Sequence, residues 1–328
     1  LTMIKMLYLS TDHGLLNMER HGEDWREVGG TLDDHKFTSL AHTPGHEALW
    51  AGSTDGVWRS ADLGEHWWQA NEGLTERHVR SLASHPDDAD WVYAGTEPAA
   101  IFVSQDGGRT WAEAPEVARL RDENGWYLPY SPRAGAIRGL AFLGDRGYAA
   151  AEQGGLLRSD NRGQTWAMAE GSSGKVRAPG EDEIHADVHS VVIHPTTPDQ
   201  VFAPTGGGFY YSYSGGRGWT RIYPRYCRAV WVDPVRPAHL VLGPANGPDR
   251  SGQIVESLDA GEVWQEIMDG LPPTMPDYMV EQFVQVDDHL LAVLSNGQLV
   301  AAPLDRFEWR TILEPVHGVR AALPVTPQ

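Results

Sequence analysis

The sequence predicts an all-β fold in which residues 1–328 form a single domain, a seven-bladed β-propeller. Three observations predict it. Seven of the thirteen tryptophans lie at near-even spacing, five of these seven end a similar octet, and the repeats divide into short strand-like segments. Self-similarity with a period of about 40–50 residues is typical of radial or stacked repeats. The seven tryptophans are Trp25, Trp67, Trp111, Trp166, Trp219, Trp264 and Trp309.

The octets predict a tight hairpin turn before the last strand of each blade. They occupy residues 60–67, 104–111, 159–166, 212–219 and 257–264, and each begins with Ser and ends with Trp. The Asp at the third position can bond backbone N–H groups two residues on, and the Gly at the fifth can adopt positive φ. We expect the Trp ring to pack over the turn. Asn161 and Ser214 replace the Asp in two octets.

The octets resemble the Asp-box, or BNR repeat, of sialidases, some glycan hydrolases, sortilin-type receptors and photosystem assembly factors. The resemblance covers almost the whole chain, although the first and last repeats keep little more than Trp25 and Trp309. It implies a β-propeller that carries the octet as a hairpin in its blades. It implies no single function, since those families do unrelated things.

The other segments predict four antiparallel strands in each blade. In one repeat, residues 78–86, 91–95 and 100–104 are strand-like, and Trp111 opens the fourth strand. The first unit, residues 3–28, lacks a leading strand, while residues 317–324 supply one with nothing after it. We therefore expect the N- and C-terminal strands to share one blade and close the ring. Closure removes the exposed sheet edges that promote aggregation.

Two long connections are predicted to emerge on the face where the central funnel opens. They occupy residues 116–135 and 171–184 and join the outer strand of one blade to the inner strand of the next. Loops on a rigid scaffold often carry function. The first insert is rich in aromatic residues, and its Trp126 is a candidate for substrate contact as a pocket wall or lid. The alternative is that this insert folds down as extra core.

Composition narrows the classes of partner and the compartment. The formal net charge is −19, which argues against nucleic acid or an anionic membrane as the main partner. The single cysteine, Cys227, allows no intramolecular disulfide and is predicted to be a buried thiol. No run approaches the roughly twenty apolar residues of a membrane helix. With no visible signal peptide, we expect a soluble cytoplasmic protein, and a secreted form is the alternative.

Alignment of the seven leading strands predicts a ring of side chains around the propeller axis. Four arginines and a histidine at one level would suit an anionic group, because guanidinium is a permanent forked donor. His78 and His35, at the tops of two inner strands, are further candidates for substrate contact. The alternative is that each arginine is structural and bonds carbonyls of the neighbouring blade. The ring positions are Thr38, Arg80, Arg138, His189, Arg228, Glu281 and Arg320.

A second hypothesis is a divalent metal cofactor bound by His185 and His189, with Asp187 between them. Residues at i, i+2 and i+4 of a strand face the same side, and imidazole with carboxylate suits zinc, iron or manganese. The i to i+4 span is about 13 Å, so one ion would take only a neighbouring pair unless the strand bends. The alternative is a hydrogen-bonded His–Asp pair at the funnel rim.

The likeness to sialidases implies a third set of roles. Sialidases use an arginine cluster, a Tyr nucleophile activated by Glu, and an Asp acid/base, for which Tyr226, Glu281 and Asp187 supply the residue types. Against this, sialidases have six blades, and their Phe/Tyr-Arg-Ile-Pro signature is absent here.

The leading hypothesis for the whole chain is a glycosidase-like hydrolase. It would act on an anionic small molecule or glycan in the central funnel. The alternatives are a non-catalytic scaffold that binds a protein partner and a metal-dependent enzyme.

Overall fold

Seven four-stranded antiparallel sheets form a closed β-propeller, as the repeats predict. The computed structural model describes residues 6–22, 24–131, 134–315 and 318–325. Within these residues the fold is almost entirely β, with a single α-helix. Each blade has an inner strand next to the axis, a second strand, a third strand and an outer strand. The octets lie between third and outer strands.

The strand bounds follow the same order in all seven blades. The inner strands are β4 (Phe37–His42), β8 (Val79–His85), β12 (Ala136–Leu143), β16 (Val192–His194), β20 (Tyr226–Val232), β24 (Val280–Val286) and β28 (Val319–Val325). The second strands are β1 (Met6–Thr11), β5 (Leu49–Ser53), β9 (Asp88–Thr96), β13 (Arg146–Glu152), β17 (Thr197–Thr205), β21 (Leu240–Ala245) and β25 (His289–Leu294). The third strands are β2 (Gly14–His21), β6 (Gly56–Ser60), β10 (Ile101–Ser104), β14 (Gly155–Ser159), β18 (Gly208–Ser212), β22 (Val255–Ser257) and β26 (Leu299–Pro303). The outer strands are β3 (Asp24–Thr31), β7 (Trp68–Gln69), β11 (Ala112–Glu113), β15 (Ala167–Met168), β19 (Thr220–Tyr223), β23 (Gln265–Glu266) and β27 (Arg310–Leu313).

Strands from both ends of the chain close the ring, which confirms the predicted closure. The sheet order is β28-β1-β2-β3, and β1 pairs antiparallel with β28 from Met6 opposite Val325 to Thr11 opposite Val319. The predicted boundaries at residues 3 and 317 lie outside the described residues. Because β28 supplies the inner strand, the two ends are fixed together and no inner edge is left open in this blade.

The octet turns differ in one detail from the prediction. In the octet of residues 104–111, Asp106 Oδ1 accepts hydrogen bonds from the backbone N–H groups of Arg109 at 3.0 Å and Thr110 at 2.9 Å. These partners lie three and four residues on, because the Ser104 hydroxyl takes the nearer backbone donors, including the N–H of Gly108 at 2.8 Å. Gly108 has a φ of 79°, the left-handed conformation expected at this position.

Four of the five octet tryptophans hold turns or blades together through their indole N–H groups, whereas Trp219 Nε1 has no partner among the described residues. Trp67 donates to the carbonyl of Gly64 within its own octet, at 3.1 Å. Trp111 instead donates to the carbonyl of Ala70 in the preceding blade, at 2.8 Å, so its ring does more than cover its own turn. In both arrangements the buried polar N–H has an acceptor, which is the condition for burying a tryptophan at low cost.

The hydrophobic core lies between neighbouring blades. In one cluster, Tyr93 and Ile101 of one blade pack against Ile137, Ala149 and Leu157 of the next, and all five are buried. The blades approach so closely that a β-carbon at Gly95 would lie 2.5 Å from Ile137 Cγ2. The core is thus distributed around the ring, and the axis itself is left to the inner strands.

The first insert contains the helix α1 (Pro115–Asn124), which the sequence did not predict. Trp126 follows it and is 3% exposed, packed in the core between two blades, and its Nε1 donates to the Gly174 carbonyl at 2.9 Å. This corrects the expectation that Trp126 contacts a substrate, because its ring is enclosed by protein. The alternative prediction, that the insert adds to the core, holds for this residue.

Candidate functional site

An irregularity in each inner strand turns the ring residues towards the axis. In β8 the pairing with β9 passes from Val79 to Ser81, and Arg80 is left out of the register. A β-bulge of this kind inserts one unpaired residue and redirects its side chain. His189 occupies the equivalent place just before β16, after an isolated bridge between Val188 and Thr205. Register shifts also fall at Thr38, Arg138, Arg228, Glu281 and Arg320.

The ring positions line one open cavity of about 620 Å³, which we call the ring cavity. All seven residues aligned from the sequence contribute to its wall, so the alignment of the leading strands is correct. The wall also contains Lys36 and His78, each of which directly precedes an inner strand. Leu40, Leu82 and Leu140 line it further along the inner strands. The cavity therefore combines a charged ring with an apolar level next to it.

The arginines of the ring are paired with carboxylates. Arg80 Nη1 lies 2.7 Å from Glu97 Oε2, and Arg320 Nε lies 3.1 Å from Asp12 Oδ1. Asp12 also contacts Lys36 Nζ at 2.8 Å, and these two cations hold its pKa below its usual value although burial opposes this. The ring is therefore a network of ion pairs, whereas the sequence predicted arginines bound to carbonyls or to an external anion.

Arg138 and Glu281 connect this network across the cavity. Arg138 Nη1 is 3.3 Å from Glu152 Oε2, and its Nη2 is 3.5 Å from Glu281 Oε2. Glu281 also accepts a hydrogen bond from Arg228, whose Nη1 lies 3.5 Å from Asp249 Oδ1. Burial lowers the pKa of Arg138, but the charges of the two glutamates outweigh it and raise the pKa overall.

Sequence reasoning placed Glu281 in the ring but missed the other carboxylates on these arginines, although a signal for two of them exists. Glu152 is the last residue of β13, and Glu97 directly follows the equivalent strand β9. An alignment of the second strands by their ends would have placed both beside the ring, as the alignment of inner strands placed the arginines. Among the described residues the cations do not outnumber the carboxylates that contact them. The cations are Lys36, Arg80, Arg138, Arg228 and Arg320, and the carboxylates are Asp12, Glu97, Glu152, Asp249 and Glu281.

Beside Arg138, three metal-ligating side chains converge. Glu152, Asp187 and His189 each offer a ligand atom, and these atoms all lie within 4.8 Å of one another. Burial raises the pKa of Glu152 and of Asp187, but neighbouring positive charge, from Arg138 and His189 for Glu152 and from His189 and His185 for Asp187, lowers both overall. At neutral pH both carboxylates are therefore ionised and serve as acceptors or ligands, not as proton donors.

His189 is held by both ring nitrogens. Its Nδ1 lies 2.9 Å from the carbonyl oxygen of Cys227, and its Nε2 lies 3.3 Å from Asp187 Oδ2. The hydroxyl of Tyr226 is 3.4 Å from the same Nε2. The carbonyl on the neighbouring blade fixes the plane of the imidazole, so Nε2 points at Asp187.

His185 does not join these ligands, which corrects the predicted pair of His185 and His189. Its Nδ1 accepts the backbone N–H of Asp187 at 3.1 Å, and its ring lies against Gly207. The reason is local: residues 185–187 are not in a regular strand, so the alternation of faces on which the prediction depended does not apply. The partner that the sequence missed is Glu152, which comes from a different blade.

The other two predicted histidines have separate environments. His35 Nδ1 lies 3.1 Å from Asp55 Oδ2, and its ring contacts Trp58 with centroids 4.7 Å apart, outside the lining of the ring cavity. His78 does line the ring cavity, with its Nδ1 3.8 Å from Glu97 Oε2. His78 therefore lies on the ring cavity and His35 lies away from it, and the ligand contact of His78 stays a prediction.

The residues proposed for a sialidase-like reaction lie near one another but are not arranged for it. The Tyr226 hydroxyl accepts a hydrogen bond from Arg228 Nε at 2.9 Å, and burial raises its pKa to about 12. A nucleophilic tyrosine needs a neighbouring base that lowers its pKa, whereas Glu281 is bonded to Arg228 and Arg138. Asp187 has a lowered pKa and is not poised as an acid. Cys227 is buried, as predicted, and burial raises its pKa to about 12.

The fold and the site define a seven-bladed β-propeller with a polar cavity at the ring of its inner strands. No family model and no curated protein matches the chain. No helix within the described residues is long and apolar enough to cross a membrane. The predicted cytoplasmic location stays a prediction.

Solved structures with a similar fold include GH74 enzymes and YCF48. The GH74 xyloglucanase from Xanthomonas campestris is 18% identical with a TM-score of 0.62, over 84% of this chain and 45% of that one. YCF48 from Cyanidioschyzon merolae is 13% identical with a TM-score of 0.64, over 93% of this chain and 98% of that one. YCF48 bound to D1 peptide is 15% identical with a TM-score of 0.59, over 88% and 85%. This chain spans less than half the length of the GH74 enzymes that it matches. At these identities the likeness shows the fold alone.

Proposed function

We propose that the protein binds a hydroxyl-rich ligand, a glycan or a sugar-like small molecule, in the ring cavity. The observation that supports this most is the cavity itself: bulged inner strands direct charged side chains into an open space of about 620 Å³. A ring with a purely structural role would have its side chains packed against one another. Pockets with a few convergent polar groups are the usual sites of small-molecule binding.

The pairing of charges favours a neutral hydroxyl-rich ligand over a strongly anionic one. Every ring arginine already contacts a carboxylate, so an anion would have to displace that partner or approach it against repulsion. The pairs still present N–H donors and carboxylate acceptors side by side. Sugar hydroxyls both donate and accept, so they match such a wall without adding charge. The anionic ligand predicted from the arginines alone is therefore the weaker hypothesis.

Binding is tested by calorimetric titration with neutral oligosaccharides, including xyloglucan fragments. We expect saturable binding to the full chain, and we expect Glu281→Gln to weaken it at least about tenfold because Glu281 joins two arginines of the ring. Glu308→Gln is the matched control, an exposed glutamate that pairs with Arg306 at 3.3 Å on the outside of the protein. Equal affinities for both variants, or no binding of any neutral glycan, would contradict the proposal.

A second candidate is hydrolysis of the bound glycan, which is favoured by the similar GH74 structures and by the likeness of the octets to Asp-boxes. The test is release of reducing ends from xyloglucan and other neutral polysaccharides. Glu281→Gln should reduce kcat/KM with the wild-type fold retained, and Glu308→Gln should not. Because Glu152 and Asp187 are held ionised, a glycosidase mechanism would need its proton donor from another group.

A third candidate, a scaffold for a protein partner, is favoured by two exposed aromatic residues on the first insert. Tyr127 and Tyr130 are 61% and 59% exposed, and Tyr130 also donates to Glu152 at 2.6 Å beside the ring cavity. A similar propeller, YCF48, has been solved with a D1 peptide. Fluorescence polarisation with that peptide tests this directly. Binding that Tyr127→Ser abolishes and Glu281→Gln leaves unchanged would favour the scaffold over the glycan site.

A further inference from the structure

We propose that Glu152, Asp187 and His189 form a binding site for a divalent transition-metal ion on the wall of the ring cavity. The proposal deepens the proposed function and rests on it only for the role of the ion, since metal binding can be measured without any glycan. It replaces the pair that the sequence predicted with three residues from two blades.

The spacing of the three side chains fits one ion. Their ligand atoms lie within 4.8 Å of one another, and His189 Nε2 is already 3.3 Å from Asp187 Oδ2. Ligands about 2.1 Å from a tetrahedral ion are about 3.4 Å apart. The site therefore needs a closure of at most about 1.4 Å, which side-chain rotation can provide without movement of the strands.

The hydrogen bonds of His189 leave Nε2 suited to a cation. The carbonyl of Cys227 can only accept, so Nδ1 carries a hydrogen and donates to it. Nε2 faces Asp187 Oδ2, which is also an acceptor. A neutral imidazole would then place two lone pairs against each other, and either a second proton or a metal ion between them removes this conflict. Metal-bound histidines commonly donate their other N–H to a carbonyl in this way.

The three side chains are buried, which distinguishes this cluster from an ion pair on the protein surface. The side chains of His189, Glu152 and Asp187 are 1%, 6% and 14% exposed. Asp187 Oδ1 is buried and has no hydrogen-bond partner among the described residues. An unsatisfied buried carboxylate oxygen is costly, and coordination of an ion is one of the few ways to satisfy it.

The charges around the site favour a cation even though Arg138 is close. Arg138 contacts Glu152 at 3.3 Å but shares its charge with Glu281 at 3.5 Å. Glu281 is also bonded to Arg228, so Glu152 and Asp187 bring two negative charges to the site beside His189 and have only a shared Arg138 against them. A divalent ion would compensate the remaining negative charge.

The donor set identifies the class of metal. One imidazole nitrogen with two carboxylates suits zinc, manganese or iron, whereas calcium and magnesium prefer all-oxygen sites. Three protein ligands leave at least one coordination position open. His189 lines the ring cavity, so the open position would face the ligand and accept a sugar hydroxyl or water.

The test is a calorimetric titration of Zn²⁺ and Mn²⁺ into the full chain after removal of metals by chelation. We expect one equivalent to bind, and Asp187→Asn and His189→Gln each to weaken binding at least about 100-fold, beyond the 10–100-fold typical of losing an outer partner. Glu97→Gln is the matched control, because it removes the equivalent carboxylate on the neighbouring arginine but no predicted ligand. Its affinity should stay within about threefold of the wild type.

Pulsed electron paramagnetic resonance of the Mn²⁺ complex identifies the ligand if His189→Gln unfolds. A nitrogen coupling in the wild type identifies an imidazole ligand, and loss of bound Mn²⁺ from Asp187→Asn, which keeps every histidine, locates the ion at this site. Stoichiometry below about a tenth of an equivalent, or binding that Glu97→Gln weakens as strongly as Asp187→Asn, would overturn the proposal. Metal binding without glycan binding would contradict the proposed function alone, and glycan binding without metal binding would contradict this inference alone.

Discussion

Replacing Arg138 with Met should make the metal site stronger. Arg138 Nη1 lies 3.3 Å from Glu152 Oε2, and an ion would sit about 2.1 Å from that carboxylate, so guanidinium and ion would be about 5 Å apart. A single and a double positive charge at about 5 Å repel each other by about 1.7 kcal/mol even at the dielectric constant of water. Since 1.4 kcal/mol corresponds to a factor of ten, we expect at least about tenfold tighter binding.

The assay is the same Zn²⁺ titration, with Arg80→Met as the matched control. Arg80 pairs with Glu97 as Arg138 pairs with Glu152, but it is not bonded to any of the three ligands. Circular dichroism and the melting temperature establish that each variant is folded. If Arg138→Met is unfolded, Arg138→Gln takes its place in the titration. Weaker binding by Arg138→Met, or an equal change in both variants, would refute the electrostatic reasoning about this site.

Three further predictions concern the insert, the core and the octets. Tyr130→Phe removes the hydroxyl that donates to Glu152 at 2.6 Å, and should weaken Zn²⁺ binding about tenfold in the same titration, as loss of an outer partner does. Trp126→Ala should lower the free energy of unfolding by about 3–5 kcal/mol in urea denaturation. The folded protein should keep its ligand affinity. A loss of ligand affinity without a loss of stability would instead show that Trp126 contacts the ligand. Asp106→Ala removes the four hydrogen bonds that the carboxylate accepts from Ser104, Arg109 and Thr110, and should cost about 1–2 kcal/mol at pH 7. Backbone and side-chain donors, acting against burial, lower the pKa of Asp106 to about 2. Its contribution is therefore complete above about pH 4 and is lost as the pH falls towards 2, so wild type and variant should converge there in denaturation curves.

The repeat could be predicted because it depends on local chemistry. Each octet forms its own turn from its own side chains, as Asp106 does with the N–H groups of Arg109 and Thr110. Such turns mark blades even where the sequence between them has diverged. Once the blades are counted, alignment of the leading strands places the ring residues correctly, because they occupy equivalent positions in every blade.

The partners of the ring residues could not be predicted in the same way. Glu97 and Glu152 lie at the ends of second strands, next to the inner strands that carry Arg80 and Arg138, so only an alignment of the second strands would have placed them beside the ring. The bulges were also missed, since a bulge shows in the pairing register and not in the alternation of residue types. Apart from Glu281, the arginines were therefore interpreted without the carboxylates that neutralise them.

The misplaced residues share a physical cause. His185 was assigned to a strand face, but residues 185–187 follow no regular strand, so its side chain is directed elsewhere. Trp126 was assigned to a loop, but the helix α1 before it turns the chain back so that the ring is enclosed between blades. In both segments tertiary contacts outweigh the local pattern on which prediction from sequence depends.

The central claim is that the ring cavity binds a neutral, hydroxyl-rich ligand because its arginines are already paired. The most direct measurement is a calorimetric comparison of neutral oligosaccharides with uronic-acid oligosaccharides of equal length, on wild type and Arg228→Met. We predict that the neutral series binds more tightly and that Arg228→Met, which breaks the bond to Glu281, weakens it at least about tenfold. Tighter binding of the anionic series, or no effect of the substitution on the neutral one, would contradict the account.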